Sequence, residues 1–537
     1  MRLDELSTKA LTARTLIECG MFAPGRPDKL ARALKAIRDW GPTTAAGFAA
    51  AAIRHPADVA IVDEAGALTF GEVHRRTNAL AHAWSDDGIG EGDGVALLCR
   101  NHRGFVEATA ACSKLGAHAL LLNTAFAGPQ LAEVCAREQP RAIVYDEEFA
   151  ALAAAAAAGR RRYVAWSDSR AAPAGAELLE SLVERGDPGD VVVPATRGRI
   201  VILTSGTTGA PKGARRKQPE SLDPIAGLIE KIPLRARERT LIAAPLFHSW
   251  GLAHFVLAIG LSSTLVLQRR FDPERTLRAI DEHGVTALVV VPVMLQRILE
   301  LGPKVVGRYD TGSLRVIAAS GSPLPGELAT RVMDAFGDVL YNLYGSTEVA
   351  WATVATPEDL RAAPGTAGRP PRGTVVRLFD AGGRAVGPGE TGRIFVGSEL
   401  VFEGYTGGGG KPDIDGLLSS GDVGHFDEHG RLFVDGRDDE MIVSGGENVF
   451  PREVEDAIAT LDGVEEVAAV GVQDAEFGQR LRAFVVLRAG AKVGEQDVKA
   501  HVRANLARFK VPRDVVFVDE LPRNATGKVL KRELSTP

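Results

Sequence analysis

Four cysteines in 537 residues are too few and too scattered for a disulfide framework. Cys19, Cys99, Cys112 and Cys135 show no CxxC or metal-ligand spacing, and read as reduced, mostly buried thiols of a cytosolic protein. An excess of basic charge is also missing. Lys and Arg total 63 against 69 Asp and Glu, a net charge of −6, so nothing global points to nucleic acid. The N-terminus, MRLDELSTKA, carries acids and no apolar core, which argues against a secretory signal. A clean membrane span is lacking as well. The stretch 241–268, LIAAPLFHSWGLAHFVLAIGLSSTLVLQ, is long enough to cross a bilayer but is broken by Pro245, His248, His254 and several Gly and Ser. Buried core is its expected fate. No internal repeat is apparent.

What is present has the composition of a soluble globular enzyme, 45% hydrophobic and 25% charged, on a chain too long for one ordinary core. Residues 1–45 read as an N-terminal appendage. There Asp28 is expected to cap a helix that Gly41–Pro42 closes, with Leu30, Leu34, Ile37 and Trp40 on one face and Lys29, Arg32, Lys35 and Arg38 mostly elsewhere. Such a helix docks on the main body with a solvated basic side, the favoured reading, or lies on anionic lipid. From about residue 57, the β-rich runs GVALLC, HALLLN, RAIVYD, RIVILT, ALVVVP, RVIAAS and VLYNLYG alternate with helical patterns. That alternation predicts an α/β fold with parallel-rich sheets in a large domain over 46–436. The alanine run 152–158 reads as a helix of high propensity. After about 370, short alternating strands with Gly turns predict a small antiparallel β unit. A Gly- and Asp-rich joint at Asp435–Asp439 then leads to a compact α+β domain, 437–537.

Three strand-to-loop transitions carry the chemistry. In ILTSGTTGAPKGA (202–214), a glycine-rich turn follows a buried strand. Consecutive N–H groups there can form an anion nest, with Thr and Ser hydroxyls and the mobile charge of Lys212 as further donors. The nucleotide-binding P-loop fails on spacing, because Gly213 and Ala214 stand where that motif needs a hydroxyl. A flexible surface turn is the alternative for the loop taken alone. Downstream lie RVIAASGSPLP (315–325) and LYNLYGSTE (340–348). Ligands collect beyond the carboxyl ends of strands, so such loops can line one crevice. Tyr344 is suited to stack on a purine, Glu348 to hold magnesium, and Asp422 of SSGDVG to bind ribose hydroxyls. DGRDDE supplies Arg437, and PRNATGKVLKREL supplies Lys528.

In this order, TSGTTGAPKG, YGSTE, SGDVG, GRDDEMIVSGGENVFPREVE and PRNATGKVLKREL resemble the adenylate-forming superfamily, most closely the fatty-acyl-CoA synthetases. The similarity runs from about residue 45 to the end. It implies that ATP and a carboxylate give an acyl adenylate and pyrophosphate, after which coenzyme A takes the acyl group. By the family's pattern Thr204, Ser205, Gly206, Thr207, Thr208, Gly209 and Lys212 hold the β- and γ-phosphates, and Thr204 and Glu348 share Mg²⁺. Gly321, Ser322 and Pro323 edge the adenine while Tyr344 covers its face, and Gly345 is a further ATP/AMP-binding residue. Thr347 reaches the α-phosphate, Asp422 and Arg437 lie near the ribose, and Lys528 bridges carboxylate and α-phosphate. The resemblance also implies a mobile C-terminal domain hinged at Asp439, with Ser444, Gly445 and Gly446 flanking the pantetheine passage. A surface turn is the plain reading of Asp439 by itself.

The acid remains to be chosen. PLFHSWGLAHF (245–255) matches the aromatic region between acyl pocket and adenylate, which makes His248 and Trp250 pocket-lining candidates. A satisfied core histidine is the alternative for His248. No acid stands in 246–256 to pair an α-ammonium, and VLAIGLSSTLVL and ALVVVPVMLQRIL supply apolar walls. A medium- to long-chain fatty acid is therefore the first expectation, and no carrier-protein domain is expected after Lys528. A fatty-acyl-AMP ligase, an aryl-CoA ligase and a non-catalytic nucleotide- or lipid-binding protein are the other readings. The expected location is cytoplasmic, with contact at the inner membrane face through 28–40 as a variant.

Overall fold

The computed structural model describes residues 2–23, 25–156, 159–169, 171–204, 212–216, 221–400, 402–405, 410–438, 442–444, 447–474, 478–506, 510–524 and 527–534. Two compact units divide the chain: Met1–Ala319 with Glu399–Gly410, and Ser320–Ser398 with Lys411–Pro537.

In the first unit the apolar runs form parallel strands. One set runs Val316–Ala319, Ala287–Val290, Arg239–Ile242, Thr264–Leu267 and Val59–Asp63, with Gly66–Thr69 antiparallel beside the last. The other runs His118–Leu121, Gly94–Leu98, Ala142–Asp146, Arg161–Trp166 and Glu177–Leu178, with Ile200–Thr204 on the outer side of His118–Leu121. Ala142–Asp146, Ala287–Val290 and Val316–Ala319 are buried along their whole length. Strands covered on both faces require such continuous apolar runs. Helices start and stop on local signals. Thr69 and Glu72 form a capping box, the Asp272 carboxylate accepts from the Arg275 N–H, and Gly116 closes Arg103–Leu115 in the left-handed region at φ 70°.

The 241–268 stretch is divided among a strand ending at Ile242, the helix Ser249–Gly260 and the strand Thr264–Leu267. Among the described residues no helix is long and apolar enough to cross a membrane. The alanine run is helical over Ala150–Ala156, and 157–158 lie outside the described residues.

The appendage docks. Thr12 hydrogen-bonds Asp223, the Thr15 hydroxyl donates to Glu230 Oε1 at 2.8 Å, and the Arg54 guanidinium reaches the Met21 carbonyl at 2.7 Å. Its second helix, Pro27–Trp40, corrects two expectations. Arg26 holds the N-cap position and Pro27 the first turn, so Asp28 sits inside the helix and pairs with Arg26 and Arg32. The buried side centres on Ala33, which leaves Leu34 48% and Ile37 44% exposed. Gly41 ends the helix as expected, at φ 66°.

In the second unit, Leu340–Ser346 pairs antiparallel with Ala350–Ala355. The expected small β unit is an antiparallel sheet of Val375–Phe379, Gly392–Gly397 and Leu417–Phe426, with Asp413–Ile414 and Leu432–Arg437 both paired to the last. Residues beyond 441 build an α+β layer on Val464–Asp474 and Gly478–Leu487. Its core gathers Ile442, Val454, Ile458, Val485 and Val502 beneath the helices Pro451–Ala459 and Glu495–Asn505.

Lys114, only 1% exposed, lies between two helices of the first unit. Its ammonium donates to the Thr77 hydroxyl at 2.7 Å, to the His74 carbonyl at 3.0 Å and to Asn78 Oδ1. These partners are neutral, so burial dominates and pushes the lysine down to about 7. Its unfolded value is about 10.4. Below pH 7 both states hold the proton and the cost of burying charge is present in full. Between there and the unfolded value only the unfolded chain holds it, so stability rises with pH, by at most about 1.4 kcal/mol per unit. The Tm of the native protein should therefore climb relative to that of Lys114→Met between pH 7 and 9. A constant difference across that range would show that the buried ammonium does not titrate there.

Candidate active site

In the second unit the residues expected to bind nucleotide come from three places. Antiparallel register sets Asp422 opposite Arg437, and the Arg437 guanidinium stands 3.6 Å from Asp422 Oδ1. The Tyr344 hydroxyl donates to Asp422 Oδ2 at 2.6 Å, and the Asp422 N–H donates to the Ser420 hydroxyl at 3.1 Å. Burial pushes the Asp422 carboxyl above its ordinary value, while the Tyr344 hydrogen bond and the charges of Arg437, Lys528 and Lys411 act in the opposite direction. Burial and the neighbouring carboxylate keep the Tyr344 phenol protonated, hence a donor. A carboxylate with one oxygen on an exchangeable hydroxyl and the other beside a guanidinium can accept a vicinal diol.

Tyr344 and Gly345 lie on Leu340–Ser346. A Cβ on Gly345 would fall 2.0 Å from the Ala350 carbonyl oxygen, so only glycine lets the paired strand approach there. Beyond it the Ser346 hydroxyl donates to Glu348 Oε2 at 3.0 Å and receives the Glu348 N–H at 3.2 Å, a local turn that orients the carboxylate. Thr347 sits half-buried in the same turn. Gly321, at φ 91°, opens the 321–323 turn, and Gly321 and Pro323 are exposed. Lys528 is exposed on a turn held by Asn524, whose side-chain oxygen accepts the Lys528 N–H at 2.9 Å. Its charge pulls the Asp422 carboxyl down, which brings the C-terminal lysine within electrostatic reach of that carboxylate.

Asn342 was not among the expected residues. It is 8% exposed, two positions before Tyr344 and so on the same strand face, and its Oδ1 has no hydrogen-bond partner. A buried acceptor beside an aromatic face suits an exocyclic purine amine. The visible signal was one polar residue inside the apolar run VLYNLYG.

In the first unit Thr204 ends Ile200–Thr204 and pairs across an antiparallel hairpin with Lys212. The glycine-rich loop thus joins two strands, whereas a P-loop runs from strand to helix. Ser205, Gly206, Thr207, Thr208 and Gly209 lie outside the described residues, as do Asp439, Gly445 and Gly446. Ser444 closes a short strand that pairs with Glu447–Val449.

The residues expected on the acid side follow the Arg239–Ile242 strand. Asn101, also missed, fastens that segment. Its Nδ2 donates to the Ile242 and Ala244 carbonyls at 3.0 and 2.9 Å, and its Oδ1 accepts the Leu246 N–H at 2.9 Å. His248 then holds the N-cap position of Ser249–Gly260, half-buried. Trp250 is buried, and its indole N–H donates to the Val290 carbonyl at 3.1 Å.

Among the described residues one cluster brings three metal-ligating types together: Cys99, His102 and Asp146, all buried. Their donors are already engaged. His102 Nε2 bonds Asp146 Oδ1 at 2.7 Å, His102 Nδ1 accepts the Gly104 N–H at 3.1 Å, and Asp146 Oδ2 accepts the Arg100 N–H at 2.9 Å. Burial also pushes the Cys99 thiol up, away from thiolate. The cluster is a hydrogen-bonded clamp at the start of the Arg103–Leu115 helix.

A family profile described as "AMP-binding enzyme" matches residues 48–406, and one described as "AMP-binding enzyme C-terminal domain" matches 453–528. The feruloyl-CoA synthase of an Amycolatopsis species is 35% identical over 476 residues, covering 87% of this chain and 93% of that protein. The indoleacetate–CoA ligase of Aromatoleum aromaticum is 34% identical over 477 residues, with 87% and 92% covered. Among solved structures, the o-succinylbenzoate CoA synthetase of Bacillus subtilis, in complex with its acyl-adenylate intermediate, matches with a TM-score of 0.79 at 26% identity over 91% of this chain and 98% of that one. The chain belongs to the AMP-binding enzyme family, within the adenylate-forming superfamily.

Proposed function

We propose that this enzyme, an AMP-forming acid–thiol ligase, joins an aromatic carboxylic acid to coenzyme A with ATP, by way of an aryl-acyl adenylate. The observation that carries the aromatic choice is the pair of relatives at 34–35% identity over 87% of the chain, a feruloyl-CoA synthase and an indoleacetate–CoA ligase. The fatty acid expected from apolar walls alone gives way. Walls of Val, Leu and Met accept a ring as readily as a chain, and the anchored Trp250 offers a flat face.

In the first step the acid's carboxylate oxygen attacks the α-phosphorus, and the bond to the β,γ-pyrophosphate breaks. In the second the thiolate of coenzyme A attacks the acyl carbon and AMP departs. Two anions must meet in the first step, so cations and N–H donors placed at the developing charge lower the barrier. Lys528 serves that role between carboxylate and α-phosphate, as a point charge on a long stem. Asp422 takes the ribose hydroxyls from Tyr344 with Arg437 alongside, Asn342 accepts the adenine amine, and Gly321, Ser322 and Pro323 edge the base. Thr347 meets the α-phosphate, and the 204–212 loop holds the outer phosphates. Thr204 and Glu348 supply the hydroxyl and carboxylate oxygens that suit Mg²⁺, which when bound neutralises phosphate charge. The C-terminal domain turns at Asp439 between the steps, and Ser444, Gly445 and Gly446 flank the path of the thiol.

Pyrophosphate release and thioester formation, measured over matched panels of aryl and fatty acids, test this reading. Cinnamic, arylacetic and benzoic acids should be turned over well ahead of saturated fatty acids. Preference for the fatty acids would restore the earlier expectation, and adenylate that coenzyme A cannot discharge would redirect the product to another acceptor. Lys528→Ala should slow adenylation about 100-fold or more while thioester formation from supplied acyl-AMP persists; equal loss of both half-reactions would remove the lysine from the first step. Asn342→Ala should raise the KM for ATP about tenfold, equivalent to one net hydrogen bond. An unchanged KM would exclude contact with the base.

A further inference from the structure

His254 is a buried titratable group that the mechanism above does not use. It lies one turn beyond Trp250 on Ser249–Gly260, so both side chains share a helix face. Their rings meet edge to face with centroids 4.2 Å apart. Trp250 is tied through its indole N–H to the carbonyl of Val290, the last residue of its strand. The carboxyl ends of parallel strands are where ligands gather in this architecture. The pair therefore stands at the carboxyl end of that strand.

The imidazole is 1% exposed. His254 Nδ1 lies 3.3 Å from the Trp250 carbonyl oxygen. A carbonyl only accepts, so Nδ1 carries the proton and Nε2 the lone pair. Nε2 is buried and has no hydrogen-bond partner. Native structures rarely leave such an acceptor unmet, and each exception calls for a physical reason, a bound group among them. Burial also pushes His254 down to about 4, so the ring is neutral at working pH. A neutral acceptor does not recruit a second carboxylate. It selects a hydrogen-bond donor.

We infer that His254 is a specificity-determining residue of the acid pocket, its Nε2 accepting a hydrogen bond from a hydroxyl or N–H group carried on the ring of the aromatic acid. This rests on the aromatic-acid reading above. The preferred substrate class is then the ring-hydroxylated or ring-N–H acid rather than the bare aryl acid or the dicarboxylic acid. The physical reason is asymmetry: a site built to receive a donor penalises the analogue that lacks it, because its own polar atom stays unpaired.

The test uses full-length enzyme and acids in matched pairs: cinnamic, phenylacetic and benzoic acids with and without a 3- or 4-hydroxyl, and indoleacetic acid beside its N-methyl form. The readout is kcat/KM for pyrophosphate release. The native enzyme should favour the donor-bearing member of at least one pair about tenfold or more. In His254→Leu that ratio should fall to near unity, and in His254→Gln, which keeps a polar group, part of it should remain. A loss equal for both members of each pair would mean a packing role and overturn the inference. So would a native enzyme that turns over aryl acids without discriminating within pairs, or a preference that survives in His254→Leu. If fatty acids are turned over and aryl acids are not, the aromatic-acid reading itself falls and takes this one with it, an outcome distinct from loss of discrimination alone.

Discussion

A largely buried carboxylate needs partners, and much of this part of the second unit is arranged around that need at Asp422. Strand register supplies Arg437 directly opposite, the Tyr344 hydroxyl closes on one oxygen, and the Lys528 charge reaches it from the C-terminal turn. Each of these comes from a different stretch of chain, and each pays a share of the desolvation cost. A slip of one residue between Leu417–Phe426 and Leu432–Arg437 would turn the carboxylate to the other face of the sheet and dissolve the set. The glycine at 345 belongs to the same constraint, since it lets the Tyr344 strand sit close to its partner.

The architecture was largely legible because its signals are local. Buried parallel strands need unbroken apolar runs, and each of the seven runs quoted from the sequence contains a strand. The loops beyond strand ends drew notice for a related reason: Gly, Ser and Thr concentrated after an apolar run mark where a strand gives way to a turn with exposed backbone donors. The error at Asp28 was local too. An acid before a helical pattern looks like a cap, but Pro27 takes the first turn and moves the cap to Arg26.

What stayed hidden depends on distance along the chain. Asn101 acts on carbonyls more than 140 residues away, and nothing around it in RNHR announces that. Asn342 and His254 stand out through what they lack in the folded protein, and a missing partner has no sequence signature. The choice between ring and chain was hidden for another reason. Hydrophobic residues report that a wall is apolar and say little about the shape of the space in front of it. Lys114, by contrast, looks from sequence like any helix-surface lysine, and its burial is a property of how two helices meet.

The hold of Asn101 on residues 242–246 has a consequence for how such an enzyme diversifies. Three hydrogen bonds fix the backbone that delivers His248, Trp250 and His254, and none of the three side chains takes part in them. Framework and palate are thus separately encoded. If these side chains line the acid pocket as proposed, exchanging them would retune which acid is accepted while the delivery of the chain stays constant, so natural drift or directed evolution could explore new acids without first solving a folding problem. Asn101 is the position such a search should leave untouched.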